Sequence, residues 1–259
     1  MATATEITLP NVELIDSDGE PLETLWHFAA ISLLLDVVEF HLRDRTDFYA
    51  AGNMFLYYSE EQARNRDYRG PDFFFVDHVD GRRRRRWWAI WEENGRYPDV
   101  IMELLSPSTA KTDRTVKKEL YEQTFRTHEY FLYDPETDKL EGWRLGRKGR
   151  YQAIRPNKRG WLSCEKLALW LGHWTGKHKL VEGVFPRFYD EQERLVLTEA
   201  EAARQQATTE KQLAESEKQR ADSEKERAEL EKQRADQAEA ELARLKARLA
   251  ELEGGRSSG

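Results

Sequence analysis

Three acids and a lysine carry the chemistry this sequence could do. Glu103 sits inside the apolar run of YPDVIMELLSPST, where a carboxylate is costly unless something pairs with it. Asp99 lies four residues earlier. On a strand the two would point to one side. At ~3.3 Å per residue they would also stand roughly 13 Å apart, too far to share one Mg²⁺ whose ligands lie at about 2.1 Å. Glu103 therefore needs an acid from a neighbouring strand, and Asp72, which opens PDFFFV behind another Pro-Asp, is the best candidate. With the strands ~4.8 Å apart, register can set Asp72 beside Glu103. That pair would hold a divalent metal, with waters and a phosphate filling its other positions. Asp99 is left as a strand-start acid or as a supporting residue.

Phosphodiester hydrolysis also wants a cation near the attacking water. The position two residues past Glu103 shares its face but holds Leu105. The following segment, 112–125, reads as a helix with Thr112 as N-cap. At ~100° per residue, Val116, Leu120, Tyr121, Thr124 and Phe125 make its apolar face, with Lys117 in the middle and Lys118 at the margin. A lysine facing a sheet needs an anionic partner, and Asp72 with Glu103 could be that partner. Two readings stay open: a catalytic lysine beside metal-binding acids, or a structural ion pair with Glu103. A run of five arginines, Arg82, Arg83, Arg84, Arg85 and Arg86, is either a solvated loop or a loop that contacts phosphates without reading sequence. Trp87, Trp88, Trp91, Tyr121 and Tyr130 read as packing residues, and Ser106, Ser108 and Thr109 as turn and capping residues.

The elements that must position these groups follow from periodicity. Glu23 to about Arg43 reads as a helix with Trp26, Ala30, Leu33 and Val37 on one face. NMFLYYS (53–59), DFFFV (72–76) and Val100–Leu105 read as strands, with a short helix expected in the basic, Trp-rich segment between the last two. Glu129–Tyr133 and Leu140–Leu145 form a hairpin across DPETDK. Residues 1–22 read as a strand or loop. The order helix, strand, strand, strand, helix, strand is an α/β (α+β) sheet with helices packed on it.

The 259-residue chain is 34% charged, more than one compact domain of this size would hold, and the excess lies at the end. From Thr198 the chain falls into heptads: AESEKQR, ADSEKER, AELEKQR, ADQAEAE, LARLKAR, LAELE. Glu occupies position d in the first three, and only Leu242, Leu245, Leu249 and Leu252 make an apolar seam. The expected organisation is a domain over 1–197, a charged helical tail over 198–253 and a flexible terminus over 254–259. The tail tip would pair with a second copy or a partner protein. A net charge of −7 gives no global nucleic-acid signature. One cysteine, Cys164, excludes an internal disulfide and a Cys zinc site, and a reducing, cytoplasmic setting is expected. No run of 18 apolar residues suggests a membrane span.

PDFFFV, PDVIMELLSPST, DRTVKKELYE and EYFLYDPE, in that order, closely resemble the signature of the Uma-two family of restriction-endonuclease-like proteins, within the PD-(D/E)XK nuclease superfamily. The resemblance spans roughly residues 20–197. It implies an αβββαβ core in which an Asp and a Glu from adjacent strands bind Mg²⁺, with Mn²⁺ as a substitute. Those roles fall on Asp72 and Glu103, and the lysine moves to the helix, at Lys117, because Leu105 holds its usual place. The implied function is a Mg²⁺-dependent DNA endonuclease. The alternative is a nuclease-like adaptor that no longer cuts and serves DNA binding or assembly through its tail.

Overall fold

The chain is described from a computed structural model, which covers Leu14, residues 24–65 and residues 69–254, with side chains as far as residue 248. The expectation for residues 1–22 lies outside these, Leu14 apart. In chain order the strands are β1 (Phe48–Ala51), β2 (Leu56–Tyr57), β3 (Phe73–Asp77), β4 (Trp88–Ala89), β5 (Val100–Leu104), β6 (Glu129–Asp134), β7 (Lys139–Leu145), β8 (Tyr151–Ala153), β9 (Leu162–Cys164), β10 (Leu169–His178) and β11 (Val181–Tyr189). The main sheet has the order β1-β3-β5-β6-β7-β8. Its central strands β3 and β5 are buried almost throughout. Both faces are covered, so they read as unbroken apolar runs rather than alternating ones. β1, β3 and β5 are antiparallel neighbours, whereas β5 and β6 are parallel. A parallel pair needs a crossover, and the helical segment from Ala110 to Phe125 supplies it. Helix α1 (Leu25–His41) precedes this set, completing an αβββαβ core.

Side chains of the central strands alternate between two layers. Phe73, Phe75, Val100, Met102 and Leu104 face α1 and a second sheet of order β11-β10-β9. Phe74, Val76, Ile101 and Leu105 face the crossover helix through Tyr121 and Phe125. Thr24 caps α1, its side chain accepting from the His27 N–H.

Three expectations are corrected. The first sheet strand is FYAA at 48–51, half-buried up to Ala51 and ending in two alanines, which are poor strand formers, while NMFLYYS yields only β2, paired with β4 outside the main sheet. The basic, Trp-rich segment is turns around β4 rather than a short helix, because Trp88 plugs the core and Arg85 folds inward. The crossover helix starts at Ala110, Thr112 makes no capping bond, and two stretches, Asp113–Lys117 and Tyr121–Phe125, are π-wound.

The chain divides into two compact units, Met1–Ala200 and Glu201–Gly259. The helix Glu199–Gly254 makes up nearly all of the second, and its described side chains are exposed from Arg204 onward. The side chains of Leu249 and Leu252, and residues 255–259, lie outside the described set.

Candidate active site

The register of β3 on β5 builds the site. Phe73 pairs with Met102, so one step outward Asp72 stands opposite Glu103. Each acid takes a backbone hydrogen from the other strand: the Asp72 N–H donates to Glu103 Oε2 at 3.3 Å, and the Leu104 N–H donates to Asp72 Oδ2 at 2.7 Å. The acids thus fasten the end of the β3–β5 pair while remaining side by side.

The crossover helix supplies the rest. Lys117 Nζ lies 3.1 Å from Glu103 Oε1 and 2.7 Å from Asp113 Oδ1. The Tyr121 hydroxyl donates to Glu103 Oε1 at 2.9 Å. Asp113, Lys117, Tyr121 and Phe125 are spaced by four. In a pure α-helix such a row drifts around the axis, because four residues overshoot a turn of 3.6. The π segments wind more widely and bring the four residues onto the sheet-facing side. Val116, expected on that face, is 55% exposed. Asp113 was not anticipated from sequence. Its signal was the four-residue spacing D-x₃-K-x₃-Y, which sets neighbours on one face of a helix.

Glu103 and Asp113 are buried, at 1% exposure each, while Lys117 is 19% exposed and Asp72 is half-buried, so the site opens on the Asp72 and Lys117 side. Burial pushes the Glu103 carboxyl up to about 8; Lys117 opposes the rise, and Asp72 and Asp113 add to it. Burial also lifts Asp72 to about 6, against the hydrogen bond from Leu104. Burial works against the charge on Lys117, yet Glu103 and Asp113 together hold its pKa above the ordinary lysine value. Three carboxyls crowd around one ammonium, which touches Glu103 and Asp113. This excess of buried negative charge fits a bound cation. Two strand carboxylates also suit a metal that keeps several waters.

The structure brings Asp72, Glu103 and Lys117 together and keeps Asp99 apart. Asp99 lies at the other end of β5, where it accepts from the Asp77 N–H at 2.9 Å and from Arg96 at 3.1 Å and pairs with Lys166 at 3.0 Å. The arginine run is also at that far end, since it follows the end of β3 opposite Asp72. Arg85 is turned inward, its side chain 3% exposed, in a two-pronged pair with Glu93 and over the rings of Tyr49 and Trp88. It is a packing residue and leaves the expected phosphate-contacting set. Arg82, Arg83, Arg84 and Arg86 are exposed, Arg83 close to Glu92 and Glu93. Among the described residues, Asp47, Asp77 and His78 also bring three metal-binding atoms together. Arg45 contacts both of those carboxylates, at 2.9 and 2.5 Å, so a guanidinium already supplies the positive charge there.

A family model for Uma2, described as "Putative restriction endonuclease", matches residues 6–174. The chain belongs to the Uma2 family. No curated protein matches it. A solved structure described as a putative nuclease belonging to DUF820, from Anabaena variabilis ATCC 29413, is similar at 16% identity and a TM-score of 0.42, covering 59% of this chain and 81% of that one. In this Uma2 chain Leu105 is fully part of the core, 2% exposed. The cation beside the acids comes from the helix. No helix among the described residues is long and apolar enough to cross a membrane.

Proposed function

We propose that this Uma2 protein is a Mg²⁺-dependent endonuclease that hydrolyses DNA phosphodiesters, with Mn²⁺ able to substitute. The observation that carries this reading is the facing pair Asp72 and Glu103 on adjacent strands, with Lys117 Nζ 3.1 Å from Glu103. Asp72 and Glu103 would hold the ion. When bound, a divalent cation polarises a phosphoryl oxygen and makes a bound water more acidic. Lys117 keeps its proton at neutral pH, because its two carboxylates favour the charged form. Its role is therefore that of a fixed positive charge against the phosphate oxygens as negative charge develops, not that of a base. Tyr121 fixes the orientation of Glu103 through its hydroxyl. Arg82, Arg83 and Arg84 stand about a strand's length from the acids, roughly 17 Å for five residues. They would touch the flanking backbone of a longer duplex rather than the scissile phosphate. The one cysteine, Cys164, is free and buried, in keeping with a reducing, cytoplasmic setting.

The test is cleavage of plasmid and single-stranded DNA with Mg²⁺ or Mn²⁺, comparing wild type with Asp72→Asn, Glu103→Gln and Lys117→Ala. Wild type should cut and all three variants should fail. Wild type that cuts no better than the variants sinks the enzyme reading. DNA binding without cleavage would favour the adaptor, the reading that Leu105 supports.

A further inference from the structure

We propose that the last three heptads of the tail pair with the same heptads of a second copy of this chain, in parallel and in register. This stands independently of the nuclease reading. The helix is continuous from Glu199 to Gly254, and Leu242 and Leu245 on it are 54% and 58% exposed. By sequence they take positions a and d, preceded by Ala235 and Ala238 and followed by Leu249 and Leu252. That is the alternation a two-stranded coiled coil buries.

The flanking charges identify the occupant. In a parallel pair, position g of one helix meets position e of the next heptad on its partner. Here those pairs are Arg234 with Glu239, Glu241 with Lys246, and Arg248 with Glu253, each opposite in sign. Upstream the same rule gives Arg220 with Lys225 and Arg227 with Lys232, both repulsive, beside Glu217, Glu224 and Glu231 at position d. The sequence thus favours pairing after about residue 234 and opposes it before.

Two of the charges have no counterpart on their own helix. The residues three and four away from Lys246 are Leu242, Ala243, Leu249 and Ala250. Those around Glu239 are Ala235, Asp236, Leu242 and Ala243. Neither can form the stabilising intrahelical pair of that spacing, so their charges are left for another helix.

Sedimentation equilibrium of the full chain, with circular dichroism to check that each tail stays helical, tests the proposal. Wild type should dimerise at micromolar concentration and Leu245→Glu should be monomeric. Lys246→Glu, which opposes two like charges at Glu241, should weaken the dimer by about tenfold or more. The double exchange Glu241→Lys with Lys246→Glu should restore it. An antiparallel pair would instead set residue 241 against Arg248 and residue 246 against Glu253, so the double exchange would weaken it further. A monomeric wild type at about 0.1 mM, a dimer indifferent to Leu245→Glu, or a double exchange no better than Lys246→Glu alone would each overturn the proposal.

Discussion

The two ends of the β5–β6 pair hold similar residues in opposite states. At the far end Glu129 is wholly buried, yet it accepts from Arg144 at 2.8 and 3.0 Å and from the N–H groups of Glu165 and Lys166. Asp99 beside it is matched by Arg96 and Lys166. At the near end Glu103 is equally buried, but its one lysine is shared with Asp113, and Asp72 crowds the same space. Burial lifts Glu103 to about 8 and Asp72 to about 6. Buried acids alone therefore do not mark the site. An arrangement of acids that the protein's own cations leave unbalanced does, and a metal ion would relieve that imbalance.

The largest effect should come from exchanging acids between the two ends. Glu103→Gln or Asp72→Asn should lower kcat for DNA cleavage by ~10³-fold or more, on the scale of removing a group that stabilises developing charge. Glu129→Ala should leave kcat within a few-fold but cost about 1–3 kcal/mol, because the N–H groups of Glu165 and Lys166 lose their acceptor while Arg144 keeps Glu165; chemical denaturation measures this. If Glu129→Ala abolishes cleavage in folded protein, the contrast between the ends fails.

Lys117→Met should follow, with kcat down ~10²-fold and KM for DNA nearly unchanged, because a charge that acts on the transition state is not spent on binding. Steady-state kinetics on a defined duplex would show the split.

The pH response comes next. The folded pKa of Glu103 lies above the unfolded value of ~4.3, so between these values the folded state binds more protons. Without metal, the contribution of Glu103 to stability is then fully present below ~4.3 and is lost as pH rises through about 8. Melting temperatures in a chelator from pH 5 to 9 should decline, and Glu103→Gln should flatten the decline by a few degrees. Mg²⁺ must displace the same proton, so its apparent affinity should rise over that range.

The smallest effect separates the arginines. Arg84→Ala should reduce the salt dependence of DNA binding by ~1 in slope and leave the melting temperature alone. Arg85→Ala should lower the melting temperature by removing its pair with Glu93. Equal behaviour of the two would mean that the buried pair is not distinct from the exposed run.

Much of this was legible because strands and apolar runs obey short-range rules. The fixed rise of a strand ruled out Asp99 as the partner of Glu103, and the two Pro-Asp runs did become neighbours in a register that pairs Asp72 with Glu103. Lys117 was found by helical spacing. Val116 was misplaced because that spacing assumed α winding, whereas the chain widens over 113–117 and 121–125; Asp113 falls on the lysine's face even by α spacing, but an acid in a helix's first turn reads as an ordinary surface charge. FYAA was invisible as a strand because it ends in two alanines, which are poor strand formers. Arg85 could not be told from its neighbours, since its burial depends on Glu93 and Tyr49, eight and thirty-six residues away.

The widened helix turns residue count into a functional setting, as thread pitch does in a screw. Removing one exposed residue between the two widened stretches, such as Glu119, would change the phase between them. Tyr121 and Phe125 would then turn by ~100° about the axis relative to Asp113 and Lys117, while every side chain that touches the site stayed in the sequence. Length variation between the residues equivalent to Asp113 and Phe125 should therefore be read as a change in the site rather than as loop drift.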